Sequence, residues 1–230
     1  MRAGKYADLA ECGLIIIAAG ANQKPGETRI ELLNRNRVIL SSIMEQLTAV
    51  NKNAVLLIVS NPVDVLTCMA QQLSGLPAGH VIGSGTVLDT ARLKYLVGQK
   101  LGVDSRNVHA FIIGEHGDSE LAVWSSANIS GVDLDDYCRI TGVTDPTTML
   151  HQIYENVRDA AYSIIESKGA TYYGIGMAVR RIAEAIVRDE HSVLPVSSMI
   201  QGHYGVDGIC LGLPSIVGKN GVEVVLDIPL

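Results

Sequence analysis

An α/β fold is what this sequence predicts: part of a doubly wound parallel sheet, followed by an α+β domain. Three observations carry that prediction. Short β-branched runs alternate with one-sided helical patterns through the first half of the chain, as strand–helix–strand units do. After residue 120 the style changes to two long helical patterns and then short strands separated by turn residues. At 230 residues, 47% of them hydrophobic, the chain can fill one large domain or two small ones with proper cores.

The elements follow in order. LIIIA (14–18) is a short β-branched run closed by Gly20, the character of a buried parallel strand. From 29 to 50 apolar residues recur on one face, predicting a helix. AVLLIVS (54–60) reads as a second such strand and NVHAFII (107–113) as a third, with helices over 63–73 and 88–102. Two further helices, 148–168 and 172–190, are split by a turn at Gly169. The strands SVLPVSSMI (192–200), GICLGLPSIV (208–217) and GVEVVLDI (221–228) close the chain, the last entered through Lys219-Asn220-Gly221, a strong hairpin signal. The change of style places a domain boundary near 82–85, dividing the chain into 1–82 and 83–230.

Composition excludes several classes of function. The net charge is −6, the pI about 5.5, and no cluster of Lys and Arg stands out, so nucleic acid and anionic membranes are not expected partners. Four scattered cysteines without a CxxC pair point to a reducing compartment and against a disulfide frame or a zinc site. No apolar run approaches the roughly 18 residues that span a bilayer. MRAGKYADLAEC at the start lacks a signal peptide's character. A soluble cytoplasmic protein is expected.

Four segments hold polar or charged residues where loops or helix ends fall. GANQKPGETR (20–29) is a connection rich in glycine and small polar residues, with Arg29 starting the next helix. SNPVD (60–64) ends the second strand, and ligands of open parallel sheets bind beyond the carboxyl ends of strands, where Asn61 sits. In GSGTVLDTARLKY (83–95), Asp89 and Arg92 share a helix face. They could form an ordinary surface ion pair. Alternatively Arg92 grips a substrate carboxylate while Asp89 turns toward a histidine. In IIGEHGDSE (112–120) the flanking glycines let backbone and ligand approach His116 closely. GIGMAV (174–179) has a dinucleotide fingerprint's glycine spacing, but no strand precedes it, so it reads as helix packing.

Taken together, GANQKPGETR, SNPVD, VIGSG, LDTAR, GEHGD and KGATYYGIG resemble the L-lactate and malate dehydrogenase family, in family order and from end to end of the chain. The resemblance implies a partial Rossmann half, an α+β catalytic domain, NAD as cofactor and a homo-oligomer, dimer or tetramer, working in glycolysis and fermentation. It implies that His116 exchanges a proton with the substrate oxygen while hydride passes to or from the nicotinamide ring. Asp89 is similar to the carboxylate that fixes the imidazole, and Arg92 to the bidentate carboxylate clamp. Arg29 rides on the loop that closes over the substrate and polarises the carbonyl. Asn61 resembles a residue touching both cofactor and substrate, and Thr171 one lining the pocket. Gly20, Ala21, Val59 and Ser84 match cofactor contacts, with Tyr6 and Ser42 as further matches.

Gln23 separates lactate from malate within that resemblance. A second substrate carboxylate wants a cation at this point, and a neutral glutamine leaves it unpaired. Pyruvate or L-lactate is therefore the expected substrate, with malate or another 2-hydroxy acid as the alternative. The family's opening GxGxxG unit, about 30 residues of strand–turn–helix, does not appear, nor does its last helix. The chain is expected to be a fragment that alone binds NADH poorly, has little activity and leaves a sheet edge exposed. NADH affinity equal to that of a complete relative would overturn this. The missing glycine loop also raises a reading of another class, a non-catalytic binding or structural module. The joint presence of His116, Asp89, Arg92, Arg29 and Gln23 argues against it. His109 and Lys94 match the two positions through which some bacterial members bind a sugar bisphosphate, lysine replacing arginine at 94.

Overall fold

Four aliphatic residues, Leu14–Ile17, form β1, and Val55–Ile58 form β2, the two strands running parallel with Leu14 beside Val55 and Ile17 beside Ile58. Every residue of β2 is buried, as a strand covered on both faces requires. The protein is described here by a computed structural model covering residues 2–21, 29–169 and 171–230. Helix α1 (Arg29–Thr48) joins β1 to β2, and α2 (Val63–Ser74) leads on toward β3 (Val81–Gly83), parallel to β2. Gly75, in the left-handed region, ends α2.

From β3 the chain enters α3 (Val87–Leu101) and a separate antiparallel sheet: β4 (Val108–Ile113), β5 (Leu121–Ile129) and β6 (Val132–Asp133). Helices α4 (Leu134–Ile140), α5 (Pro146–Arg158), α6 (Ala160–Lys168) and α7 (Tyr173–Val187) follow. The chain then returns to the first sheet as β7 (Ser192–His203), β8 (Val206–Gly218) and β9 (Gly221–Val225), giving the order β1-β2-β3-β7-β8-β9. The two-residue turn at Lys219-Asn220 joins β8 to β9, where the hairpin was expected. The parallel part is packed on both faces. On one side Leu40, Met44 and Leu47 of α1 and Leu66 and Ala70 of α2 meet Ile15, Ile17, Leu56 and Ile58. On the other side Ala178, Ile182, Ala185 and Ile186 of α7 meet Val55, Leu57 and Ile82. The glycines of GIGMAV thus belong to a packing helix.

Two expectations need correction. The third parallel strand is β3, not residues 107–113; three buried residues are too short a run to stand out in sequence. The segment 107–113 supplies β4, whose alternating exposure suits its antiparallel partner β5. The helical stretch 148–168 is two consecutive helices that meet at Asp159, whose φ of −86° and ψ of −3° depart from helical values although its N–H still donates to the Glu155 carbonyl at 2.9 Å. β1 is a terminal strand of the six-stranded sheet, with Ile16 43% exposed.

The two sheets are tied together beside β4. Gly114 and Gly212 of β8 exchange two backbone hydrogen bonds of 2.8 Å. Gly114 has φ +93°, and a Cβ at Gly212 would stand 2.8 Å from Thr86 Oγ1, so both positions want glycine. This clasp sets the origin of the loop that carries His116.

Candidate active site

The carboxyl ends of three parallel strands meet at one edge of the first sheet. They present Gly20 and Ala21 after β1, Val59 and Asn61 after β2, and Ser84 after β3. Hydrogen bonds hold these ends in register. Buried Asn36 of α1 accepts from the Ala21 N–H at 2.7 Å and donates to the Asn61 carbonyl at 2.8 Å. Ser60 Oγ donates to the Ala19 carbonyl at 2.6 Å, and the Ser84 N–H to the Ile58 carbonyl at 2.9 Å. A Cβ at Gly20 would press to 3.3 Å from Ser60 Cβ. The rim is thus made of backbone, glycine and small uncharged side chains.

Because α3 starts just past β3, its first turn stands beside this rim. Asp89 lies there, 2% exposed. Its Oδ2 is 2.6 Å from Nδ1 of His116, and its Oδ1 accepts from Arg92 Nη1 at 3.3 Å. A carboxylate can only accept, so Nδ1 carries the proton and Nε2 is left for another partner. Both sequence alternatives for Asp89 are therefore realised at once: it binds the histidine and it touches Arg92. Asp89 is the sole hydrogen-bond partner of Arg92 among the described residues, which leaves most of the guanidinium's five donors for another ligand. The first turn of α7 lies against the same face: a Cβ at Gly174 would stand 3.2 Å from Leu88 and 4.0 Å from Arg92 Nη2. Half-buried Thr171 is three residues before it.

Two acids that the sequence analysis did not single out complete the surroundings. Asp64, buried in the first turn of α2, accepts from the His116 backbone N–H at 2.8 Å and so anchors the histidine's main chain. Glu120, 5% exposed, closes the loop. Asp64 was within the quoted SNPVD and Glu120 within GEHGDSE, but nothing in a sequence marks an acid as buried. Burial pushes the His116 imidazole down. The Asp89 hydrogen bond and charge, then the Asp64 and Glu120 charges, push it up, and they prevail. Burial raises the Asp64 carboxyl, against the His116 N–H that lowers it.

Other expected positions lie elsewhere. Tyr6 is in a 3-10 turn ahead of β1, and Ser42 is exposed on α1 beyond Asn36, so neither joins the His116 cluster. Lys94, two residues past Arg92 on α3, points to another side of that helix, and burial lowers its ammonium. His109 is exposed on β4 opposite Asn128. Arg29 opens α1. Gln23 lies outside the described residues.

A protonatable ring fixed by a buried carboxylate, beside an arginine with spare donors and under an uncharged strand-end rim, can bind a small carboxylate and move one proton on its neighbouring oxygen. Comparison with known proteins agrees with that chemistry. Residues 1–83 match the lactate/malate dehydrogenase NAD binding domain, and residues 86–230 match the lactate/malate dehydrogenase alpha/beta C-terminal domain. The chain belongs to the lactate/malate dehydrogenase family. It is an NAD-dependent oxidoreductase of that family. The L-lactate dehydrogenase of Thermoanaerobacter pseudethanolicus is 54% identical over 228 residues, covering 99% of this chain and 73% of the relative. That of Acetivibrio thermocellus is 53% identical over 226 residues, 98% of this chain and 71% of the relative. Among solved structures, the ligand-bound minor L-lactate dehydrogenase from Enterococcus mundtii superposes with a TM-score of 0.93 at 43% identity, covering 99% of this chain and 72% of that one. A lactate dehydrogenase from a Medee basin deep-sea metagenome library superposes at 0.90 and 47% identity, with the same coverage. No helix among the described residues is long and apolar enough to cross a membrane.

The rim fits the nicotinamide half of NAD. Glycine and small uncharged residues at the strand ends would let part of the cofactor lie against backbone.

Proposed function

We propose that this protein is an L-lactate dehydrogenase, interconverting pyruvate and L-lactate. The observation that carries the reading is the 2.6 Å His116–Asp89 hydrogen bond with Arg92 beside it. The names of the relatives at 54% and 53% identity support the choice of substrate. Bound NADH supplies the hydride, and NAD accepts it in reverse. Nε2 of protonated His116 hands its proton to the keto oxygen, and the neutral ring takes the hydroxyl proton back in lactate oxidation. Asp89 keeps the tautomer and favours the charged ring. Arg92 clamps the carboxylate with paired N–H donors. Arg29 polarises the carbonyl from the closing loop, and Asn61 and Thr171 line the pocket. Gly20, Ala21, Val59, Asn61 and Ser84 contact the cofactor, with Tyr6 and Ser42 further out. In this reading residues 1–82 serve the cofactor and 83–230 the substrate, in a cytoplasmic homo-oligomer, dimer or tetramer.

Gln23 supports pyruvate over oxaloacetate, since a neutral side chain cannot pair a second carboxylate. With NADH at saturation, the protein is expected to reduce pyruvate with the higher kcat/KM. Gln23→Arg is expected to shift the ratio toward oxaloacetate by about 10- to 100-fold, the value of one charge-assisted contact. Faster oxaloacetate reduction by the unaltered protein would make it a malate dehydrogenase.

Lys94 and His109 are proposed as the contacts for a sugar bisphosphate, since both are cationic or able to become so and both stand away from the His116 cluster. Fructose 1,6-bisphosphate is expected to lower the KM for pyruvate; a KM that it leaves unmoved removes the effector.

A further inference from the structure

Glu120 has no part in the reaction as assigned above, yet it is built into the site. Its side chain folds inward at the start of β5, and its Oε1 is buried with no hydrogen-bond partner among the described residues. One of its carboxylate oxygens lies within 4.8 Å of both a His116 ring nitrogen and an Asp89 oxygen. A carboxylate left dry and unpaired is costly, and an unpaired charge at that distance from an imidazole acts on it strongly. We propose that Glu120 is a positioning residue whose negative charge acts on the His116 ring across the site and favours its proton-carrying form, so that the proton donor stays loaded longer than it would beside a neutral side chain. This rests on the reading of His116 as proton donor.

The surroundings give the charge its timing. From α3, Asp89 and Arg92 face Glu120; from α5, Arg158 and Tyr154 do, the Tyr154 hydroxyl also donating to the Glu120 carbonyl. Asp64 of α2 faces His116 from the other side. Burial first, and the Asp89 charge next, push Glu120 up to about 7, while His116, Arg92 and Arg158 pull it down. Glu120 is therefore largely neutral in mild acid, where His116 needs no help to hold its proton. It becomes charged as the pH passes neutrality, where an ordinary imidazole, with a pKa of about 6.5, would already be losing it. At this separation the two groups are expected to titrate as a coupled pair.

The test is a nuclear magnetic resonance titration of the purified protein with ring-labelled histidine. The chain has six histidines, and His116 is assigned by the signal missing from His116→Gln. Glu120→Gln keeps the shape and removes the charge. Its His116 midpoint is expected about one pH unit or more lower than in the unaltered protein, as for loss of a charge within about 4–6 Å. Glu120→Asp, which keeps the charge but draws it back, is expected to fall between the two. An unmoved midpoint in Glu120→Gln overturns the proposal and makes Glu120 a packing residue. Should that variant fail to fold, the unaltered protein decides: the Glu120 side-chain carboxyl carbon and the His116 ring must show shared inflections, and independent curves overturn the proposal. The titration needs no turnover, so failure to reduce pyruvate would strike the proposed function alone. With turnover, the alkaline limb of kcat/KM for pyruvate is expected to move down in Glu120→Gln by the same interval as the midpoint.

Discussion

Replacing His116 by glutamine is expected to lower kcat/KM for pyruvate by about 10²- to 10⁴-fold, the range a positioned general acid supplies. Glutamine is close in size and polar, so the loss reports the missing proton donor more than a collapsed loop. The pH profile makes the test specific. Asp89, Asp64 and Glu120 together hold the imidazole above its ordinary value. Pyruvate reduction uses the charged ring, so kcat/KM should be level below that raised pKa and fall about tenfold per pH unit above it. Lactate oxidation uses the neutral ring and should rise over the same interval. Both slopes should vanish in His116→Gln; a residual rate that keeps the same slope would move the proton donor to another residue. Stability follows the same ionisation. A raised folded-state pKa contributes stability that is fully present below the unfolded-state value of about 6.5 and is lost as the pH rises through the folded-state value. The variant's deficit in unfolding free energy should therefore be largest in mild acid and narrow in alkali.

The parts of this site that could be read in advance are those whose local chemistry is unusual. Gly114 and Gly117 bracket His116 because the loop leaves β4 at φ +93° and makes reciprocal hydrogen bonds to Gly212. That departure from a strand's composition is visible in one dimension. Asp89 and Arg92 are three apart on a helix, so their shared face is also visible. Asp64 was opaque because an acid in the first turn of a helix is ordinary, favoured by the helix dipole with or without a partner. Its contact with His116 spans 52 positions of sequence. Glu120 was opaque for a related reason: burial of one acid is decided by α3 and α5, far from it in the chain. Among the strands, β1 and β2 were legible as unbroken aliphatic runs, but only β2 is buried throughout; in β1 the edge position leaves Ile16 exposed. β5 was not, since Ser125, Ser126 and Asn128 interrupt its apolar alternation. Assigning residues 107–113 to the parallel sheet went wrong because an apolar run says it is buried and not which partner buries it.

Arg92→Lys is the other substitution with a large expected effect, and it separates charge from geometry. Arg92 is partly shielded, its side chain 19% exposed, and its bond to Asp89 is a single long one of 3.3 Å. A fork of donors is thus left for a substrate carboxylate. Lysine keeps the positive charge but offers a point contact in place of two parallel bonds. The KM for pyruvate is expected to rise by about 10- to 100-fold, the value of one charge-assisted hydrogen bond. The fall in kcat is expected to be smaller, because the clamp binds substrate and transition state nearly alike. Arg92→Leu is expected to go further. It removes a cation that helps hold Glu120 down, so Glu120 should then titrate at higher pH and its support of His116 should set in later. The Glu120 titration should consequently move up in Arg92→Leu and stay nearly in place in Arg92→Lys. If both variants raise KM equally and leave the Glu120 titration untouched, Arg92 acts as a generic cation and the carboxylate fork lies elsewhere. If Lys alone restores wild-type KM, charge suffices and the paired geometry is unnecessary.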